Sequence, residues 1–187
     1  MFDQYAAMYP QVRVFEVGNE VTTSTMPMTI DQYVDVLDRI YVHVLAQYAN
    51  VMLVSQATFG SGTLGAQDLA TMAPLLTAMG ISPQHLIIGI NVYTETALGA
   101  YAVVLANNLA GYRVWVTETG VPDPNQEISY VGTFYPRLQA LLRAERIYWY
   151  ALWAGDVGAD SAFSLIHAPT TPSIMMGPLF QLLAQAG

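Results

Sequence analysis

The stretch Val12–Glu20, VRVFEVGNE, is a run of β-branched and aromatic residues that ends on an Asn-Glu pair. This composition predicts a β-strand over Val12–Gly18, with Asn19 and Glu20 at the point where the strand ends. In parallel α/β sheets, functional residues collect at the carboxyl ends of the strands. The Asn-Glu pair is therefore the first candidate for a functional site.

Four further strand patterns follow, and helical patterns separate them. The strands are predicted at 51–56, 86–93, 113–119 and 146–153, and the helices at 30–48, 64–79, 96–109, 129–144 and 176–186. Near-continuous apolar strands that alternate with helices are typical of a parallel sheet covered on both faces. The sequence predicts an α/β fold and a single domain over residues 1–187.

The composition limits the classes of partner. The chain has 187 residues, of which 53% are hydrophobic, and a net charge of −8 from 6 basic and 14 acidic residues. Nucleic acids and anionic membranes are therefore not expected as partners, because both require basic patches. No apolar run reaches the ~18 residues of a membrane-spanning helix, and the first residues lack the basic start of a signal peptide. We expect a soluble chain, and the sequence does not indicate a compartment.

Metal and cofactor sites are not predicted either. The chain has no cysteine, which excludes disulfides and thiolate ligands. Its 3 histidines are scattered over the sequence without the spacing of metal ligands. We expect no metal and no cofactor.

A second carboxylate, Glu118, ends the fourth predicted strand as Glu20 ends the first. A closed or closing parallel sheet brings the carboxyl ends of its strands to one rim. Cleavage of a glycosidic bond requires two facing carboxyl groups, one protonated to act as an acid and one ionised to act as a nucleophile or base. The two glutamates are the candidate pair.

Glu16 lies four residues before Glu20 on the first predicted strand. We interpret it as a carboxylate of the polar barrel interior rather than as a catalytic group. Its expected partners are Arg13, Arg113 or a neighbouring hydroxyl.

The predicted strands and their ends carry four motifs: VGNE at 17–20, GINVYTE at 89–95, VTETG at 116–120 and YWYALW at 148–153. Together these motifs resemble those of glycoside hydrolase clan A, the retaining (β/α)8-barrel glycosidases. The resemblance covers nearly the whole chain and matches strands four to eight of the full barrel. It implies a partial TIM-type (β/α) barrel of about five parallel strands.

The resemblance also implies an activity. Glu20 would be the general acid/base and Glu118 the nucleophile of a retaining β-glycoside hydrolase. Such an enzyme acts by double displacement on a β-linked oligo- or polysaccharide and needs no cofactor.

Three further roles follow from the same resemblance. Asn19 would bind the sugar 2-hydroxyl, and Tyr93 would orient Glu118. Trp149, or failing it Trp153, would form the platform on which the sugar ring stacks.

The chain departs from the clan in its extent. Strands one to three have no counterpart, nor does an arginine that strand two normally contributes. A full barrel needs ~250 residues, so the match leaves an open sheet with two unpaired edges. We expect a homo-oligomer that covers these edges. The alternative to an enzyme is a catalytically silent carbohydrate-binding or structural remnant of such a barrel.

One rival motif points to a nucleotide. GSGTLG, Gly60–Gly65, matches the dinucleotide fingerprint and precedes a predicted helix. Its first glycine does not follow the strand directly, however, and no acidic residue ends the next strand. A loop that borders the sugar cleft is the favoured interpretation.

Overall fold

In the computed structural model, five parallel strands form a curled half-barrel with helices on its outer face. The structure describes residues 2–23, 27–48, 50–151, 162–167, 175–176 and 179. The strands lie side by side in their order along the chain, and each pairs in parallel with the next. The predicted α/β fold with a partial (β/α) barrel is confirmed.

The elements follow one another in the predicted order. The strands of the sheet are β1 Val14–Glu16, β2 Met52–Val54, β3 Leu86–Asn91, β4 Arg113–Thr119 and β5 Ala144–Trp149. The helices are α1 Phe2–Met8, α2 Ile30–Gln47, α3 Leu64–Ala78, α4 Glu95–Asn108 and α5 Glu127–Leu142. A short antiparallel pair, β6 Ile166–His167 and β7 Met175–Met176, follows the sheet. The helix predicted at 176–186 lies almost wholly outside the described residues, and Met176 itself belongs to β7.

Helix α2 shows how the sequence specifies both a helix and its packing. It begins with a capping box, in which Thr29 and Gln32 each accept a hydrogen bond from the backbone N–H of the other. The Tyr33 hydroxyl donates to Val17 O at 2.8 Å and accepts from the Gln56 N–H at 2.6 Å. These bonds hold the carboxyl ends of β1 and β2 together. The buried stripe of α2 consists of Ile30, Tyr33, Val34, Leu37, Tyr41 and Val44.

The two faces of the sheet differ in how completely they are covered. All six residues of β3 are buried, and the main core lies between the sheet and the helices. On the concave inner face, Val54, Ile87 and Trp115 form a smaller cluster. The Trp115 indole N–H is buried there without an acceptor among the described residues, and Tyr148 beside it is 41% exposed. The inner face is thus only partly covered by the described chain.

The edges of the sheet are β1 and β5, and within the described residues neither pairs with a further strand. A closed barrel of this type has eight strands, so the sheet is an open arc. Near the β1 edge, α1 packs on Phe15 but leaves Tyr5, Met8 and Tyr9 exposed. No helix in the described ranges is long and apolar enough to cross a membrane.

Candidate active site

Glu20 follows β1 in a left-handed backbone conformation with φ of 44°. This conformation costs a residue with a side chain roughly 1–2 kcal/mol, so its surroundings must hold it in place. The Glu20 N–H donates to Ala57 O at 2.7 Å, and the Val21 N–H donates to Gln56 Oε1 at 2.9 Å. The segment after β2 therefore fixes the backbone of the candidate acid.

Glu118 lies near the carboxyl end of β4, beside Tyr93, which comes just after β3. The Tyr93 hydroxyl donates to Glu118 Oε2 at 2.9 Å. Burial and the nearby charge of Glu118 raise the pKa of Tyr93. The phenol therefore stays protonated at neutral pH and remains a donor to the carboxylate there.

The environment of Glu118 balances opposing effects on its ionisation. Burial raises the pKa of the Glu118 carboxyl, the hydrogen bond from Tyr93 lowers it, and the charge of Glu20 raises it again. Hydrogen bonds from the Asn19 and Asn91 carboxamides lower it further. The net direction is upward from the ordinary value of 4.5. Glu118 thus loses its proton at a higher pH than a solvated glutamate does.

Asn91, at the end of β3, connects the site and was not among the predicted site residues. Its Nδ2 donates to Glu20 Oε1 at 2.9 Å and more weakly to Asn19 Oδ1 at 3.4 Å. Asn91 and Tyr93 are two residues apart, so strand periodicity would have placed both on one face. That signal could have identified Asn91 from the sequence.

These side chains line one open cleft with a volume of about 340 Å³. The Phe163 ring lies 5.6 Å from that of Tyr93 and 6.2 Å from that of Tyr150, so the cleft has an aromatic wall. In the described part of the chain, no group of three or more histidines and acidic residues is placed to hold a metal ion. The lining residues are Asn19, Glu20, Phe59, Ser61, Tyr93, Glu118, Tyr150 and Phe163.

Trp149, the first of the predicted platform tryptophans, is not among the described residues that line the cleft. Trp149 packs edge-on against Tyr130 of α5 at 5.9 Å, and its indole N–H donates to Phe163 O at 2.8 Å. Tyr150 lines the cleft instead. Tyr148 and Tyr150 face inward and Trp149 faces outward, so the alternation of β5 holds with the parity opposite to the one predicted. Trp153 lies outside the described residues.

The glycine-rich segment after β2 has a packing explanation. The Tyr93 N–H donates to Gly60 O at 2.9 Å, and a Cβ added at Gly60 would lie 2.5 Å from Tyr93 Cδ2. A side chain at this position would therefore displace the tyrosine that binds Glu118. Gly65 is equally confined, against the Tyr101 hydroxyl and the Phe59 carbonyl oxygen. These contacts, and the place of Phe59 in the cleft, favour a loop that borders the site over a nucleotide fingerprint.

Glu16 lies on the inner face of the sheet, and its partners differ from the predicted ones. Its Oε1 accepts from the Ala57 N–H at 3.3 Å. Arg13 donates to a backbone carbonyl near its own position in the chain, and Arg113 pairs with Glu145 at 2.7 Å. Burial against the concave face raises the pKa of Glu16 to about 7, the Ala57 N–H partly offsets this effect, and the charge of Glu118 adds to it.

This pKa shift predicts a pH-dependent gain in stability for the Glu16→Gln variant. Because the shift is upward, the wild type is fully stable below 4.5 and loses stability as the pH rises through about 7. After discounting for the solvent contact of Glu16, the wild type loses about 1 kcal/mol of folding free energy in this way, or roughly 3 °C in melting temperature. In thermal unfolding, the wild type and the variant should have equal melting temperatures at pH 4. At pH 8, the variant should melt at the higher temperature.

Glu145→Gln is the matched control, because this exposed carboxylate pairs with Arg113. The control should gain no stability at high pH. A Glu16→Gln melting difference that is the same at both pH values would contradict the assignment of the shift to ionisation of Glu16.

Solved structures with the same fold are glycoside hydrolases. A family 51 α-L-arabinofuranosidase from Bifidobacterium longum matches 86% of this chain with a TM-score of 0.62 at 11% identity. A GH128 exo-β-1,3-glucanase from Aureobasidium namibiae matches 89% with a TM-score of 0.61 at 10% identity. A GH30 endoxylanase from Clostridium papyrosolvens matches 87% with a TM-score of 0.55 at 15% identity.

These neighbours belong to clan A, so the resemblance seen in the sequence is confirmed in the fold. At such low identity the likeness concerns the fold alone. The chain spans 41% of the arabinofuranosidase, 42% of the endoxylanase and 66% of the glucanase. No family model matches the sequence, and no curated protein matches it.

Proposed function

We propose that the chain is a retaining β-glycoside hydrolase that acts by double displacement. The observation that carries this proposal is the pair of carboxylates, Glu20 and Glu118, in one cleft with different hydrogen-bond partners. Glu118 is held by a phenol that stays protonated, whereas Glu20 is held by a carboxamide. Two carboxyl groups in different environments can divide the roles of nucleophile and acid.

In the first step, a carboxylate oxygen of Glu118 attacks the anomeric carbon. The bond between that carbon and the leaving oxygen breaks, and Glu20 transfers its proton to the leaving oxygen. The product is a glycosyl ester of Glu118, and Glu20 is left ionised. The Tyr93 hydroxyl bonded to Glu118 Oε2 fixes the orientation of the attacking carboxylate.

In the second step, Glu20 accepts a proton from a water molecule. The water oxygen bonds to the anomeric carbon, and the ester bond to Glu118 breaks. Both glutamates return to their starting ionisation states. The sugar leaves with its anomeric configuration retained, because each step inverts it once.

The proposed substrate is a β-linked oligo- or polysaccharide. Two of the neighbours are named as an endoxylanase and an exo-β-1,3-glucanase, which supports a glycan as substrate. Asn19 is exposed at the cleft and would bind the sugar 2-hydroxyl. Tyr150 and Phe163 offer aromatic rings to the C–H face of a sugar, so in our proposal Tyr150 takes the role first assigned to Trp149.

Covalent labelling tests the proposed function directly. The protein is incubated with a panel of 2-deoxy-2-fluoro β-glycosides that carry an activated leaving group, and its intact mass is measured before peptide mapping. We expect an adduct of one sugar on Glu118. An unmodified, folded protein across the whole panel would contradict the proposal.

The open sheet favours one alternative, a silent carbohydrate-binding remnant. The described sheet has five strands, whereas a closed barrel has eight, so the described residues leave part of the substrate cleft without a wall. Calorimetric titration with β-linked oligosaccharides separates the two functions. Saturable binding without labelling or turnover would assign the remnant, whereas labelling of Glu118 would exclude it.

The edges of the sheet support a homo-oligomer as part of the same proposal. Tyr5, Met8 and Tyr9 are exposed at the β1 side, and a second copy that packs there would bury them. Light scattering at micromolar concentration should then give a mass above that of one chain. A monomeric mass would contradict this part of the proposal.

A further inference from the structure

Asn91 occupies the middle of the site, and the two-step mechanism assigns it no role. In the parallel register of β3 and β4, Asn91 lies beside Glu118. Across β2 in the other direction, its Nδ2 reaches Glu20 Oε1 at 2.9 Å. Its carboxamide also lowers the pKa of the Glu118 carboxyl group. One side chain therefore bonds to Glu20 and lies beside Glu118.

The orientation of this carboxamide is fixed by a second hydrogen bond. The Thr117 hydroxyl lies 3.0 Å from Asn91 Oδ1 and 3.2 Å from Ile90 O, and it donates to this pair of acceptors. With Oδ1 facing the hydroxyl, Nδ2 must face the carboxylates. Asn91 is also completely buried, so water cannot replace its contacts. A buried amide with partners on both sides is a rigid donor.

A carboxamide differs from other donors in that it does not titrate. It presents N–H groups at every pH and never takes or releases the proton that the reaction moves. Its bond to Oε1 occupies one oxygen of Glu20. The other oxygen, Oε2, is left for the proton of the acid step.

We propose that Asn91 is a positioning residue that holds Glu20 through Oε1, so that Oε2 carries the proton to the leaving group. This inference rests on the proposed function, since it takes Glu20 to be the acid. It deepens that function by assigning the two oxygens of one carboxyl group to different tasks. Loss of the Asn91 donor lets the carboxyl group rotate, and the acid step loses its geometry.

The leaving-group dependence of kcat/KM tests this role. For Asn91→Ala, hydrolysis of a phenyl β-glycoside, which needs the acid, should fall about 10- to 100-fold. Hydrolysis of the dinitrophenyl β-glycoside of the same sugar, which does not need the acid, should fall less than about 3-fold. Thr117→Val keeps Asn91 but removes the hydroxyl that orients it, and should show the same asymmetry to a smaller extent. Asn107→Ala, on the exposed face of α4, is the matched control.

A second readout does not depend on turnover. The carboxyl carbon of Glu118 is titrated by ¹³C NMR in glutamate-labelled wild type and in the Asn91→Ala and Thr117→Val variants. Because the bond from Asn91 lowers the pKa of Glu118, its loss should raise the titration midpoint, while Asn107→Ala should leave it unchanged. Thermal unfolding monitored by circular dichroism establishes that each variant is folded.

The outcomes separate this inference from the proposed function. Asymmetric loss of activity together with a raised midpoint supports it. Equal losses on both substrates, or an unchanged midpoint in folded variants, overturn it, because a purely structural role predicts those results. If the wild type is neither labelled nor active, the proposed function fails. The titration midpoint of Glu118 then shows by itself whether Asn91 acts on that carboxyl group.

Discussion

The Glu118→Gln variant is expected to lose at least about 10⁴-fold in kcat on a β-glycoside that the wild type hydrolyses. Glutamine keeps the shape of the side chain and can still bond to the Tyr93 hydroxyl, but its amide cannot form the glycosyl ester. The fold should survive, because the removed carboxyl group is one whose ionisation burial disfavours. Kinetics on purified protein, with a melting curve, measure both effects.

Two further observations constrain this result. Labelling by the fluoro-glycoside should disappear in Glu118→Gln and persist in Glu145→Gln, whose carboxylate pairs with Arg113 at the opposite end of the sheet. In the wild type, kcat/KM should fall as the pH drops through the raised pKa of Glu118. A variant that retains more than about 1% of wild-type activity, or a label on Glu16, would show that the nucleophile is misassigned.

Replacing Glu20 by alanine should produce a defect that depends on the leaving group. General acid catalysis contributes about 10²- to 10⁴-fold, and a phenyl β-glycoside needs all of it. A dinitrophenyl β-glycoside needs none in the first step, so its kcat/KM should change little. Its kcat should fall, because the second step lacks the base that activates water.

Azide provides the positive test for this variant. The small anion fits where the carboxylate was removed and attacks the glycosyl ester without a base. Azide should therefore restore kcat on the dinitrophenyl substrate and yield a β-glycosyl azide, identified by NMR. An α-glycosyl azide, or equal loss of kcat/KM on both substrates, would be incompatible with Glu20 as the acid/base.

Much of the fold follows from the sequence because buried parallel strands and capped helices have strong local patterns. The prediction for α2 differs from the observed helix by one residue at its end. It is this accurate because Thr29 and Gln32 mark the start of the helix and the apolar stripe marks its buried face. The first two strands are shorter than predicted, with three residues each. Their apolar patterns continue into segments that pair through single backbone hydrogen bonds and isolated bridges, such as that of Asn19 with Ala57. The pair β6 and β7 has two residues per strand, too few for any periodic signal.

The residues of the candidate site could be predicted where the residue type itself indicates a chemical role. The structure brings Asn19, Glu20, Tyr93 and Glu118 into one cleft, as motif spacing along the strands suggested. Asn91 was missed because a neutral amide in an apolar strand carries no chemical signal of its own.

Trp149 shows a different limit of the sequence. Its side chain faces α5 rather than the cleft, while Tyr148 and Tyr150 on either side of it face inward. Both faces of this strand carry aromatic residues, so its sequence does not show which face points inward.

If the chain is the glycosidase proposed above, the half-barrel also divides two properties of that enzyme between different surfaces. Both carboxylates and the side-chain and backbone groups that hold them come from the ends of β1 to β4, four neighbouring strands of one continuous sheet. The atoms that break the bond are therefore held independently of whatever closes the open side. A covering surface can change in shape and polarity without moving a reacting oxygen. Which glycan is accepted and how its bond is cleaved are thus separable traits in this architecture, free to diverge at different rates.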